Sequence, residues 1–187
     1  TAGAGTWAPL AHTAPSTVGH MHLLSDGTVM VQNDNDGGTY GPAWYLLTPD
    51  SAGHYANGTW TTLAPASYTR LFFASQLLKD GRLFMAGGEY GTGGTTGEIY
   101  DPVTNTWTTL PNPGHTFSDA NSEMLPDGRV MVALVEGTLR NTLIYNPATN
   151  AWSTGPTCNG IHNESAWVKL PDDSILMVDR LSTNAER

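Results

Sequence analysis

Two stretches of this chain repeat one eight-residue phrase: Tyr100-Asp101-Pro102-Val103-Thr104-Asn105-Thr106-Trp107 and Tyr145-Asn146-Pro147-Ala148-Thr149-Asn150-Ala151-Trp152. In each, a strand ends at the Tyr, and Pro two residues later stops the ladder because it has no N–H to donate. The closing Trp belongs to a second grid. Trp7, Trp60, Trp107 and Trp152 are spaced by 53, 47 and 45 residues. The Asp of a turn dipeptide keeps step at Asp26, Asp80, Asp127 and Asp172, spaced by 54, 47 and 45. Two independent markers that share one drifting period define an internal repeat.

Each repeat reads as four strands. In the third, Ser118 to Leu125 is strand one, Pro126-Asp127-Gly128 is the turn and Arg129 to Val135 is strand two. Strand three ends at Ile144-Tyr145 and strand four carries Trp152. The second repeat follows the same plan through Lys79-Asp80-Gly81, Tyr100 and Trp107. The first is looser, with Leu47-Thr48-Pro49 in the Tyr-Asp-Pro place. Four short strands in about 40–50 residues is the period of a propeller blade.

Composition agrees. Charged residues make up 13%, apolar residues 39%, and Gly (21) and Pro (12) are frequent, as suits many strands joined by tight turns. A net charge of −9 disfavours nucleic acid. The apolar run Val130 to Val135 is far too short to span a membrane as a helix. The single cysteine, Cys158, allows no internal disulfide and reads as a structural thiol. Thr1 to Thr6 resembles the start of a mature exported protein, which predicts a secreted or periplasmic location.

The pattern Gly87-Gly88, Glu98-Ile99-Tyr100 and Trp107 resembles the Kelch repeat, and the likeness covers nearly the whole chain, although only the second repeat keeps the diglycine at that place after the turn Asp. Within that family the chain is most similar to the extracellular galactose-oxidase-like branch. The resemblance implies an all-β fold, a Kelch-type β-propeller of four-stranded blades, here about half of a six- or seven-bladed ring. The expected division is a closing strand of the last blade at 1–11, blade 1 at 12–64, blade 2 at 65–111, blade 3 at 112–156 and the first part of blade 4 at 157–187. Open blade faces and unpaired edges predict a complementary polypeptide, the rest of the same precursor, as partner.

The same branch implies copper chemistry built on a Tyr cross-linked to a Cys. Arg70 matches an Arg of that segment, but Phe72 stands in the Tyr position and Val18 in the Cys position. Phe offers neither a metal ligand nor a thioether radical, so copper radical oxidation is disfavoured.

Counting back from the turn Asp aligns equivalent positions on strand one. Eight residues before it stand Val18, Phe72, Asp119 and Glu164; six before, His20, Ala74, Asn121 and Ala166; four before, His22, Gln76, Glu123 and Val168. Alternation puts all three sets on one strand face, toward a central channel. Water in that channel would satisfy such polar residues without any further role. The functional expectation is a mouth site for a small polar ligand, glycan or peptide. Its lining would include Tyr68, Phe72, Asn121 and Asn163. Asp119 and Glu164, about 5–10 Å apart on neighbouring sheets, could act as acid and base of a hydrolase or lyase. Arg70 would clamp a carboxylate or pair with Asp119, and His162 would move a proton or cap a loop. His20 and His22 with Glu123 form a candidate metal site. Asn57-Gly58-Thr59 and Asn163-Glu164-Ser165 fit the glycosylation pattern of a eukaryotic host.

Overall fold

A computed structural model describes residues 5–34 and 41–187. The first four residues of the expected closing strand therefore lie outside the described residues. The remainder of that segment, 5–11, forms no strand, and Trp7 is fully exposed. No helix among the described residues is long and apolar enough to cross a membrane.

The chain divides into two compact units, Thr1–Pro65 and Ala66–Arg187. The first contains blade 1: β1 (Val18–Leu23), β2 (Val29–Asn33), β3 (Trp44–Thr48) and β4 (Thr59–Thr62), antiparallel in the order β1-β2-β3-β4. The N-terminal segment lies against this blade: the Ala11 N–H donates to Ala56 O at 2.7 Å and the Trp60 indole N–H to His12 O at 3.1 Å.

The second unit holds three further sheets. Blade 2 comprises β5 (Ala74–Leu77), β6 (Leu83–Ala86), β7 (Gly97–Asp101) and β8 (Thr106–Thr109). Blade 3 comprises β9 (Ser122–Met124), β10 (Val130–Ala133), β11 (Asn141–Asn146) and β12 (Ala151–Thr157). Blade 4 has β13 (Ala166–Lys169), β14 (Ile175–Val178) and β15 (Ala185–Glu186). All pairings between these strands are antiparallel and join chain neighbours, with one isolated parallel bridge between Phe117 and Val135. Strand one of blade 3 is shorter than the expected 118–125, and strand two shorter than 129–135.

The repeated phrase has a physical explanation. The Tyr100 hydroxyl donates to Asn105 Oδ1 at 3.0 Å and the Tyr145 hydroxyl to Asn150 Oδ1 at 2.9 Å. Both asparagines sit at positive φ, 52° and 50°, a conformation that Asn tolerates better than most residues. Asp101 and Asn146 each accept the backbone N–H two residues on, closing the same turn. The turn thus holds each buried Tyr against its Trp, with ring centroids 4.9 Å and 5.2 Å apart. Trp152 also stacks on Phe117 at 5.4 Å and meets Phe84 edge-on at 6.1 Å. Phe84, Phe117 and Tyr145 lie in, and Trp152 against, one apolar core that joins blades 2 and 3 with Val130, Val132 and Leu134.

Asn150→Ala should therefore destabilise the second unit by about 2 kcal/mol, because it orphans a buried hydroxyl and forces Ala to positive φ. Asn150→Gly keeps the backbone and loses only the hydrogen bond, so chemical denaturation of the pair separates the two contributions. Equal losses in both would refute a backbone share.

The turn aspartates repeat as faithfully. Asp26, Asp80, Asp127 and Asp172 each accept the backbone N–H two residues on, at 2.9–3.1 Å. This fixes the register of all four blades and places equivalent residues at equivalent points.

Candidate functional site

In the second unit the first strands of the blades lie side by side. Gln76 Nε2 on β5 donates to Ser122 O on β9 at 2.7 Å, and Ser122 Oγ donates to Ser75 O at 3.2 Å. On the other side, Asn121 Nδ2 donates to Ser165 O next to β13. Asn121 is thus engaged in joining blades 3 and 4.

Just before each of these strands stands one member of the aligned set Phe72, Asp119 and Glu164. They do not lie on the strands, so the alternation expected of them does not apply. Each occupies positive φ instead, at 49°, 48° and 53° respectively. Because the same kink recurs in three blades, the side chains still converge. Together with Glu89 and Tyr90 they line an open cleft of about 380 Å³.

Glu89 and Tyr90 escaped the sequence reading. They follow Gly87-Gly88, which continue from β6 at φ of 80° and 146°. That turn redirects the chain: the Gly88 N–H donates to Phe117 O of the next blade and the Glu89 N–H to Leu71 O at 2.7 Å. Tyr90, at φ 51°, is 76% exposed, and its ring meets Phe72, 57% exposed, edge-on at 6.4 Å.

Partial burial, with the Glu89 carboxyl hydrogen-bonded beside it, raises Asp119 to about 6, while Arg180 pulls the other way. The acid that faces Asp119 is therefore Glu89. Glu164 is engaged by Arg180, Oε2 to Nε 2.8 Å. Negative charge on Glu89, then limited solvation, then Asp119 raise the Tyr90 phenol above its ordinary value, with Glu164 adding a smaller push.

Two residues expected at the mouth are buried elsewhere. Arg70 is 1% exposed; its guanidinium pairs with Glu98 at 3.1 Å and also donates to Gly87 O, Thr96 O and Thr96 Oγ1. A desolvated guanidinium is stable only with such partners, so it neither pairs with Asp119 nor reaches a ligand. Burial lowers its pKa, and Glu98 opposes that shift. His162 is fully buried against Trp167, ring centroids 5.4 Å apart, and its Nε2 meets Arg140 O at 3.4 Å. Burial lowers its pKa. In register it replaces Phe117 of blade 3, which explains the packing role.

Tyr68 is partly exposed with its ring 5.7 Å from the Arg70 guanidinium carbon, and Asn163 is half-buried beside Glu164. Glu123 lies on β9, pushed up by burial and opposed by the backbone N–H and charge of Lys169. His20 and His22 belong to the first unit, with rings 4.7 Å apart. Among the described residues no three His, Cys, Asp or Glu side chains gather as a metal site. Cys158 is half-buried and its thiol is pushed up to about 11 by burial and the Glu186 charge, which keeps it protonated.

No curated protein matches the chain. Residues 79–114 match the family model of the Kelch motif, a span that runs from the Asp80 turn through the diglycine, Tyr100 and Trp107. With that match set on sheets of one connectivity, all in register with it, the fold is that of a Kelch-repeat β-propeller.

Proposed function

We propose that the protein is a ligand-binding propeller whose cleft at blades 2–4 takes a small polar ligand, a glycan above all. A Kelch propeller supports a binding or scaffold role in general. The observation that carries the finer reading is the exposed pair Phe72 and Tyr90 beside three carboxyls in one cleft. Aromatic faces cover the C–H face of a sugar ring, while carboxylates accept its hydroxyls. A secreted or periplasmic location suits such a ligand.

The test is a panel of immobilised oligosaccharides, followed by calorimetry on any that bind. Phe72→Ala and Tyr90→Ala should each weaken binding tenfold or more, with little change in Tm because both rings are exposed. A panel without binders, or binding indifferent to both changes, would refute the reading.

A second reading is acid–base catalysis by a hydrolase or lyase. It is favoured by Asp119, which at about 6 is poised to hold or release a proton near neutrality. The partner acid in this arrangement is Glu89, while Glu164, held by Arg180, would orient the ligand. Asp119→Asn that binds the same oligosaccharide without turning it over would support catalysis. Unchanged turnover in that variant would exclude it.

A further inference from the structure

The segment 87–96 has unusual backbone demands. Gly87, Gly88, Tyr90, Gly91, Gly93 and Gly94 all stand at positive φ, yet the segment must present Glu89 and Tyr90 at a fixed place. Glycine-rich loops lose much conformational freedom on ordering, so something has to hold this one. The β6–β7 ladder closes beneath it at Ala86 and Gly97, the Gly87 N–H donates to Thr96 O at 2.9 Å, and one side chain then clamps both ends. Arg70 Nη1 donates to Gly87 O at 2.7 Å, where the loop begins, and to Thr96 O at 2.9 Å, where it ends. Arg70 Nη2 donates to Thr96 Oγ1 at 3.1 Å, and that hydroxyl donates in turn to Gly93 O at 2.6 Å. The neighbouring Leu71 grips the middle: its N–H donates to Thr92 Oγ1 at 3.0 Å, and its carbonyl accepts the Glu89 N–H. Glu98, fully buried, neutralises the guanidinium and accepts the Ser67 N–H at 2.8 Å.

We propose that Arg70 is the positioning residue of the cleft, pinning both ends of the 87–96 loop so that Glu89 is held against Asp119 and Tyr90 against Phe72. A planar fork with fixed donors suits this task in a way that a Lys ammonium does not. The functional consequence rests on the cleft reading proposed above, but the test requires no ligand, so the two fail separately.

Asp119 reports the loop's position, because Glu89 is one cause of its raised titration. Arg180 opposes that rise, and Tyr90 and Glu164 are the other titratable groups that line the cleft. Its midpoint can be followed by carboxyl carbon NMR in the whole chain, where the expected wild-type value is about 6. Glu89→Gln sets the value without the facing charge. Arg70→Met/Glu98→Gln removes the guanidinium's pins without leaving a lone buried charge while the backbone bonds of the loop stay, and its midpoint should drop by about one unit toward that of Glu89→Gln. Should this variant fail to fold, Thr96→Val removes one acceptor from the loop side and should shift the midpoint in the same direction. Arg70→Lys should not restore it. A folded pin-removed variant that keeps the wild-type midpoint, or a wild-type midpoint near 3.8, would overturn the proposal.

Discussion

Gly87→Ala should lower the unfolding free energy of the second unit by roughly 3–5 kcal/mol, near the top of the range for single substitutions. Gly87 is at φ 80°, where a side chain alone costs about 1–2 kcal/mol. A Cβ there would meet Phe117 O at 2.1 Å and Phe117 Cβ at 2.4 Å, on the segment that leads into β9. Neither can retreat cheaply, since Phe117 is fully buried and its ring stacks on Trp152. Gly91→Ala is the internal control: φ is 79°, but nothing lies within 4 Å. It should lose only the backbone share. The difference between the two variants in urea unfolding, read by tryptophan fluorescence, isolates the clash. Equal effects would mean that the close approach to Phe117 carries no energy.

The same glycine shows why the fold was more legible than the site. Turn aspartates and the Tyr–Trp phrase are local chemistry, each satisfied by residues two to seven positions away, so their spacing reported the blades directly. It also aligned Phe72, Asp119 and Glu164, because a repeat puts equivalent residues in equivalent places whatever the backbone does there. Strand alternation was the wrong reason. The ladder of blade 3 ends where the Ala133 N–H donates to Asn121 O, and Asp119 lies beyond it.

Glu89 shows the complementary failure. It and Glu136 both stand nine residues after their turn Asp, yet Glu136 pairs with His115 at 2.8 Å while Glu89 reaches Asp119. Gly87-Gly88 in one blade and Leu134-Val135 in the other make the difference. The diglycine was a readable signal for a redirected loop, although it served only as a family mark. Arg70 had a signal as well. β7 is buried on both faces at Gly97–Tyr100, so Glu98 needed a buried cation. Only the fold could show that the cation comes from the segment before β5, and the displacement of His162 into Phe117's role likewise depends on packing between blades.

Acid should weaken the first unit well before its carboxylates protonate. His22 on β1 lies 4.7 Å from His20 and 6.3 Å from Trp44, centroid to centroid. Burial, with the His20 charge second, lowers its pKa from 6.5 to about 3. A base whose pKa is lower in the folded state is neutral in both states above pH 6.5, so no penalty exists there. Below 6.5 the unfolded chain takes a proton that the folded chain refuses, and stability falls by up to about 1.4 kcal/mol per pH unit until the folded pKa is reached. By pH 4 the loss should be about 2–3 kcal/mol. Asp26 and Asp50, held below their ordinary value by hydrogen bonds, contribute their losses only under about pH 4, so the windows separate. Asp119 in the second unit has the opposite sign: its raised pKa disfavours the fold above about 6 and is relieved as pH falls. Amide exchange over 18–48, compared between wild type and His22→Phe at pH 7, 5.5 and 4, reads the first unit alone. Protection should diverge progressively in favour of the variant as the solution is acidified, while the peptides spanning Asp119 should not share that trend. Parallel profiles over 18–48 would mean that His22 takes up its proton in the folded state as readily as in the unfolded chain.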